Sequence, residues 1–263
     1  MSVENKSFLD LALDPAFDRD TFLLQESVLT LSEEYRLCDE KGGPILYVQR
    51  PVHQALGCLA LVGALTAFFV VFGAIMIIRV RMLPRDAMNP YGMGLALALG
   101  AVAAVLAAIV MRPKRHVTFY RDSSKEELVL RVAQNRHFQP IVAKYTVFDA
   151  AGQPLAQLRK NRLDNFIRKR WDCLGPNGVL LCVALEQSYA LAILRRMMEQ
   201  IFGYVPTNFR ILRGDTDIQI GEFNRKATIL NHHVLDLKGD PNRSLNRRIA
   251  LALGVILDSG ERG

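Results

Sequence analysis

The sequence predicts a mainly β fold: a closed barrel of about twelve strands around a buried hydrophobic carboxyl-terminal helix. A two-helix transmembrane hairpin is expected as an insertion after the second or third strand. Three observations carry this. The phrase "YRLCDEKGGPIL" from Tyr35 returns as "YTVFDAAGQPLA" from Tyr145. Between the two copies lie two long runs without a charge. The last apolar segment, Ile249 to Leu257, is oily on every side yet too short for a bilayer.

The repeated phrase reads as a β-hairpin. Asp39 and Asp149 begin the turns, Gly42 and Gly152 permit positive φ, and Pro44 and Pro154 open the return strands. "WDCLGPNGVLLC" has the same outline with different turn residues. Short alternating segments such as "HVTFYRD", "ELVLRVAQ", "FRILRG" and "TDIQIGEF" fill most of the remaining chain. Strands in this number, with turns this dense, favour closure, because a closed sheet exposes no edge.

The uncharged runs extend over 55–78 and 91–111. As helices rising ~1.5 Å per residue, each reaches roughly 30 Å, the thickness of a bilayer core. Pro84, Asn89 and Pro90 lie in the short link and favour an antiparallel pair. The expected organisation is therefore 1–50 as the first part of the barrel, 51–113 as the helical hairpin and 114–263 as the rest of the barrel. Ala60 and Ala64, and Gly100, Ala104 and Ala108, repeat at four-residue spacing, which allows close helix approach and a homo-oligomer through these faces. Arg112, Lys114 and Arg115 follow the second run. With Arg36, Lys41 and Arg50 before the first, they outweigh Arg79, Arg81 and Arg85 in the link. By the positive-inside rule, both termini and the barrel face the cytoplasm.

Two further segments read as helices. "QSYALAILRRMMEQIFGY" has apolar residues at helical spacing and predicts a surface helix over about 187–203. The second, over about 245–258, spans only ~14 Å along its apolar part and must be buried in protein. A barrel of about twelve strands is too wide for its own side chains to fill, and a central helix would fill it.

Composition narrows the partners. A net charge of +7 on a chain that is half hydrophobic fits an anionic partner. A membrane tether already accounts for basic flanks, so lipid is favoured and no nucleic acid is expected. "MSVENKSFLD" lacks the basic start and apolar run of a signal peptide. Cys173 and Cys182 flank a turn and are expected to face each other as reduced strand thiols. The glycines of "YGMGLALALG" have the wrong spacing for a dinucleotide loop, and no strand precedes them.

The first-strand phrase "TFLLQESVLTLSEEYRLCDEKGGPIL", the hairpin "YTVFDAAGQPLAQL", the turn "WDCLGPNG" and the ending "VLDLKGDPNRSLNRRIALALGVILD" together resemble the LURP-one-related and phospholipid scramblase superfamily. The fold of that superfamily is similar to the Tubby carboxyl-terminal domain. The resemblance implies twelve strands closed around the terminal helix, and it invites lipid scrambling as an activity. It covers nearly all of the chain outside 51–113. The proline-rich tail and cysteine run of animal scramblases are missing, as is a recognisable Tubby-type basic headgroup motif. Asp215, Asp217, Asp236 and Asp240 do not have the spacing of a calcium loop.

The densest basic stretch is "RKNRLDNFIRKRW". Arg159, Lys160, Arg162, Arg168, Lys169, Arg170 and Trp171 are the candidate lipid-binding residues, the cations attracting anionic headgroups and Trp171 sitting at the interface. Arg112, Lys114 and Arg115 are the basic membrane flank. No catalytic residue, metal or cofactor is expected. His232 and His233 would point to opposite faces of a strand, and no nucleophile elbow or phosphate loop occurs. The expected function is non-enzymatic: a membrane-anchored barrel binding anionic phospholipid or a protein partner at the cytoplasmic surface. The alternative is lipid translocation of the scramblase type.

Overall fold

The computed structural model describes residues 15–26, 33–50, 54–82, 90–111, 116–136, 139, 141–161, 168–187, 208–226 and 232–259. Among them are twelve strands and three helices. The strands are β1 (Thr21–Glu26), β2 (Glu33–Cys38), β3 (Pro44–Arg50), β4 (His116–Tyr120), β5 (Leu128–Gln134) and β6 (Val142–Asp149). They continue with β7 (Pro154–Asn161), β8 (Arg170–Leu174), β9 (Leu180–Glu186), β10 (Phe209–Arg213), β11 (Gln219–Lys226) and β12 (His232–Asp236). The helices are α1 (Gln54–Met82), α2 (Pro90–Met111) and α3 (Arg247–Ser259). The expected surface helix over 187–203 lies almost wholly outside the described residues.

Each strand pairs antiparallel with its sequence neighbour, and β1 closes on β12 through Thr21↔Asp236 to Gln25↔His232. Connections therefore alternate between the two ends of the barrel. The helical insertion joins β3 to β4, which settles its place after the third strand. The β5–β6, β7–β8, β9–β10 and β11–β12 connections leave from that same end.

The repeated hairpin phrase folds into a repeated turn. Asp39 N–H donates to Gly43 O at 2.9 Å, and Asp149 N–H donates to Gln153 O at 3.0 Å. Gly42 and Gly152 hold φ at 85° and 79°, a region that costs glycine little and other residues more. The Asp39 Oδ1 accepts the Lys41 and Gly43 N–H groups, and the Asp149 Oδ1 accepts that of Gln153. The β8–β9 turn repeats the backbone pattern with Gly175 N–H donating to Val179 O at 2.8 Å. All three hairpins slip register by a bulge beside the turn, at Leu37/Cys38, Val147/Phe148 and Cys173/Leu174.

Alternation along the strands builds the core. Inward residues such as Phe22, Leu37, Phe119, Leu158 and Ile211 are fully buried, and they form one apolar cluster with Ile249 to Leu257 of α3. Side-chain size is matched to the helix. The wall over β6–β9 sets the small residues Ala143, Ala156, Cys173, Cys182 and Ala184 among the larger Tyr145, Leu158 and Trp171, and α3 packs against β7. Opposite large wall residues the helix itself is small: a Cβ at Gly254 would meet Leu235 and Phe223 at 3.4 and 3.6 Å. Cys173 and Cys182 face each other in register as free, buried thiols.

The helix pair forms its own compact unit. Its two charge-poor spans, Cys58–Arg81 and Tyr91–Met111, are long and apolar enough to cross a membrane, and only 6% and 11% of each is buried. Small residues of the four-residue repeats lie where the two helices approach each other. Ala60, Ala64 and Ala96 are buried between the helices. A Cβ at Gly100 would come within 3.0 Å of the Phe68 ring, and one at Gly63 would collide with Met111.

Candidate anion-binding surface

The basic stretch spans the end of β7, the β7–β8 connection and the start of β8. Arg162 lies outside the described residues, as do Arg112, Lys114 and Arg115 of the membrane flank. The other six candidates divide between the two faces of the barrel wall, because alternate strand residues point to opposite sides.

Arg159 and Arg170 belong to the outer face. Arg159 stands directly opposite Asp172. Its Nη2 reaches Asp172 Oδ2 at 3.0 Å, and Arg170 Nε reaches Asp172 Oδ1 at 2.7 Å. The carboxylate is 12% exposed, while the two guanidinium side chains are 46% and 42% exposed. The anion thus sits behind the two cations. Arg170 also approaches Asp215 at 3.7 Å, at the exposed β10–β11 turn. On the other side of Arg159, strand β6 places Lys144 opposite it. The Lys144 side chain is exposed and has no ion pair among the described residues. Three strands therefore present three cations in one patch on the outer face of the wall.

Lys160 shares the inward phase of Ala156 and Leu158. Its Nζ lies 5.1 Å from the centroid of the Trp171 ring, within cation–π range. Trp171 is 1% exposed and packs 6.0 Å from Tyr145 in the core cluster. The expectation that Trp171 sits at a membrane interface is therefore corrected: strand alternation turns its indole into the barrel. Arg168 and Lys169 flank buried Glu186. Arg168 Nε donates to Glu186 O at 2.8 Å, and Lys169 N–H donates to Glu186 Oε2 at 3.1 Å.

Sequence reading missed Lys144 and Asp172. A signal existed, because the "YTVFDAAGQPLAQL" hairpin brings Lys144 and Arg159 together once its bulge is counted. Asp172 was hidden by its own neighbours: an acid at the edge of a basic run looks like dilution, whereas in register it bridges two arginines.

Other candidate chemistry is dispersed. Asp215 is 86% exposed, on a turn. His233 is buried with its Nε2 3.4 Å from Asp258 Oδ1, while the His232 side chain is outside the described residues. Among the described residues no three His, Cys, Asp or Glu side chains come together to hold a metal ion.

A closed antiparallel barrel filled by its own terminal helix, with an apolar helix pair spliced between its third and fourth strands, defines the class of protein. The chain belongs to the LURP-one-related family, whose model matches residues 109–258. The matched region starts at the end of α2, so β1–β3, which complete the barrel, lie outside it. No curated protein matches the chain significantly.

Proposed function

We propose that this protein is a membrane-anchored, non-enzymatic barrel that binds anionic phospholipid at the cytoplasmic bilayer surface. The observation that carries the reading is the outer patch of Lys144, Arg159 and Arg170, gathered from three neighbouring strands. Helices embedded in lipid would tether the barrel, and with it the patch, to the membrane. That so few residues of the two apolar helices are buried supports the embedding, since a soluble surface rarely leaves so much apolar area uncovered. Basic residues near an anionic surface contribute about 1 kcal/mol each. Scrambling draws no comparable support, because 55–78 and 91–111 contain no charged residue to line a headgroup path.

Native mass spectrometry of the full-length protein, extracted in mild detergent, tests the reading. Anionic phospholipid should co-purify with it. A triple variant, Lys144→Gln, Arg159→Gln and Arg170→Gln, should weaken that retention by roughly a hundredfold. Equal retention by a folded triple variant would rule the patch out.

A further inference from the structure

We infer that Asp172 is a resident anion holding the Arg159–Arg170 pair shut, so that the site accepts phosphomonoester groups, which carry two negative charges, over singly charged phosphodiesters. This rests on the lipid-binding reading and adds a selectivity to it. Two guanidinium groups on neighbouring strands converge on one carboxylate at 3.0 and 2.7 Å. That is the arrangement in which arginines grip phosphate. The carboxylate occupies the inner side, at 12% exposure, and both cations keep their outer edges in solvent. Lys144, beside Arg159 and unpaired among the described residues, adds a third positive charge. An incoming anion therefore meets a patch that is still attractive but already committed. To draw both guanidinium groups outward it must offer more charge than the single charge of buried Asp172, and on Arg170 it also competes with the exposed Asp215 at 3.7 Å. A doubly ionised monoester does so; a diester only matches it.

The chain carries its own reporter, because its single tryptophan is Trp171, between Arg170 and Asp172 and under the Lys160 ammonium. Full-length protein in non-ionic detergent at pH 8 and fixed ionic strength is titrated with dihexanoyl phosphatidic acid, dihexanoyl phosphatidylglycerol and inorganic phosphate, following Trp171 emission. The phosphatidic acid should bind at least about tenfold more tightly than the phosphatidylglycerol, the weight of one charge-assisted bond. Asp172→Asn should raise phosphatidylglycerol affinity until the two lipids differ by less than about threefold. Asp172→Glu, which keeps the charge, should preserve the wild-type preference and covers the case in which the amide variant does not fold. Equal affinity of the wild type for both lipids overturns the proposal and leaves lipid binding standing. Saturation by inorganic phosphate as tight as by phosphatidic acid supports the gate and removes the lipid reading. No response to any anion, in wild type or variant, overturns both.

Discussion

Arg247 Nη1 donates to Asp240 Oδ2 at 3.0 Å, and neither side chain is more than 5% exposed. The same carboxylate accepts the Ser244 hydroxyl at 2.7 Å, the Ser244 N–H at 3.0 Å and the Leu245 N–H at 2.9 Å. Arg247 in turn reaches Asp20, ahead of β1, at 2.7 Å. One buried ion pair thus ties the start of α3 to both strands that close the barrel. Asn246 completes the helix start by accepting the Arg248 N–H at 3.0 Å.

Replacing Asp240 by Ala should cost about 3 kcal/mol, because it removes the buried partner of Arg247, leaving only the part-exposed Asp20, and orphans two backbone donors. Thermal unfolding of the detergent-solubilised protein, followed by Trp171 emission, measures it. A loss below about 1 kcal/mol would show that the pair does not hold the helix start.

Acid should erase that contribution. Burial by itself pushes the Asp240 carboxyl up, but the Leu245, Ser244 and Arg247 donors overrule it and bring the value down to about 2. A folded-state value below the unfolded ~3.9 gives stability that is fully present above that unfolded value. The contribution is lost as pH falls toward the folded value, so the difference in Tm between wild type and Asp240→Asn should narrow between about pH 4 and pH 2. A gap that stays constant across that window contradicts the assignment.

The terminal helix should behave as core. Leu253 is fully buried, and Leu253→Ala should destabilise by about 2–5 kcal/mol, measured by denaturant titration. Deleting residues from 247 onward should abolish the native barrel, seen as loss of the protected Trp171 emission. A folded truncated chain would remove the central role of α3.

Two glycines should respond in opposite ways to alanine. At Gly152 the backbone needs φ of 79°, so Gly152→Ala should cost about 1 kcal/mol. At Gly254 a Cβ finds ordinary contact distances, and alanine has the better helix propensity, so Gly254→Ala should be neutral or gain up to about 1 kcal/mol. Paired Tm measurements decide both.

The facing thiols should be inert in the native state. The Cys182 thiol beside it and burial together push the Cys173 thiol well above its ordinary value, disfavouring the reactive thiolate. A water-soluble maleimide at pH 7 should modify neither Cys173 nor Cys182 until the protein unfolds. Rapid native labelling of either would place these residues outside the core.

Local chemistry alone determined much of this protein. Uncharged length defined α1 and α2, the Asp–Gly–Pro turn phrases defined the hairpins, and the all-round apolar stretch from Ile249 defined a helix that had to be enclosed. These features depend on residues a few positions apart, so they are readable in one dimension. Tertiary structure decided whatever depends on register and closure. It paired Thr21 with Asp236, more than two hundred residues away, turned Trp171 inward, and placed Ala60, Ala64 and Gly100 where the two helices approach each other. It also set Lys144 opposite Arg159 and Asp172 between two arginines. A strand shows alternate residues to opposite faces, and one bulge shifts every partner beyond it. Which charges meet is therefore a property of the assembled wall.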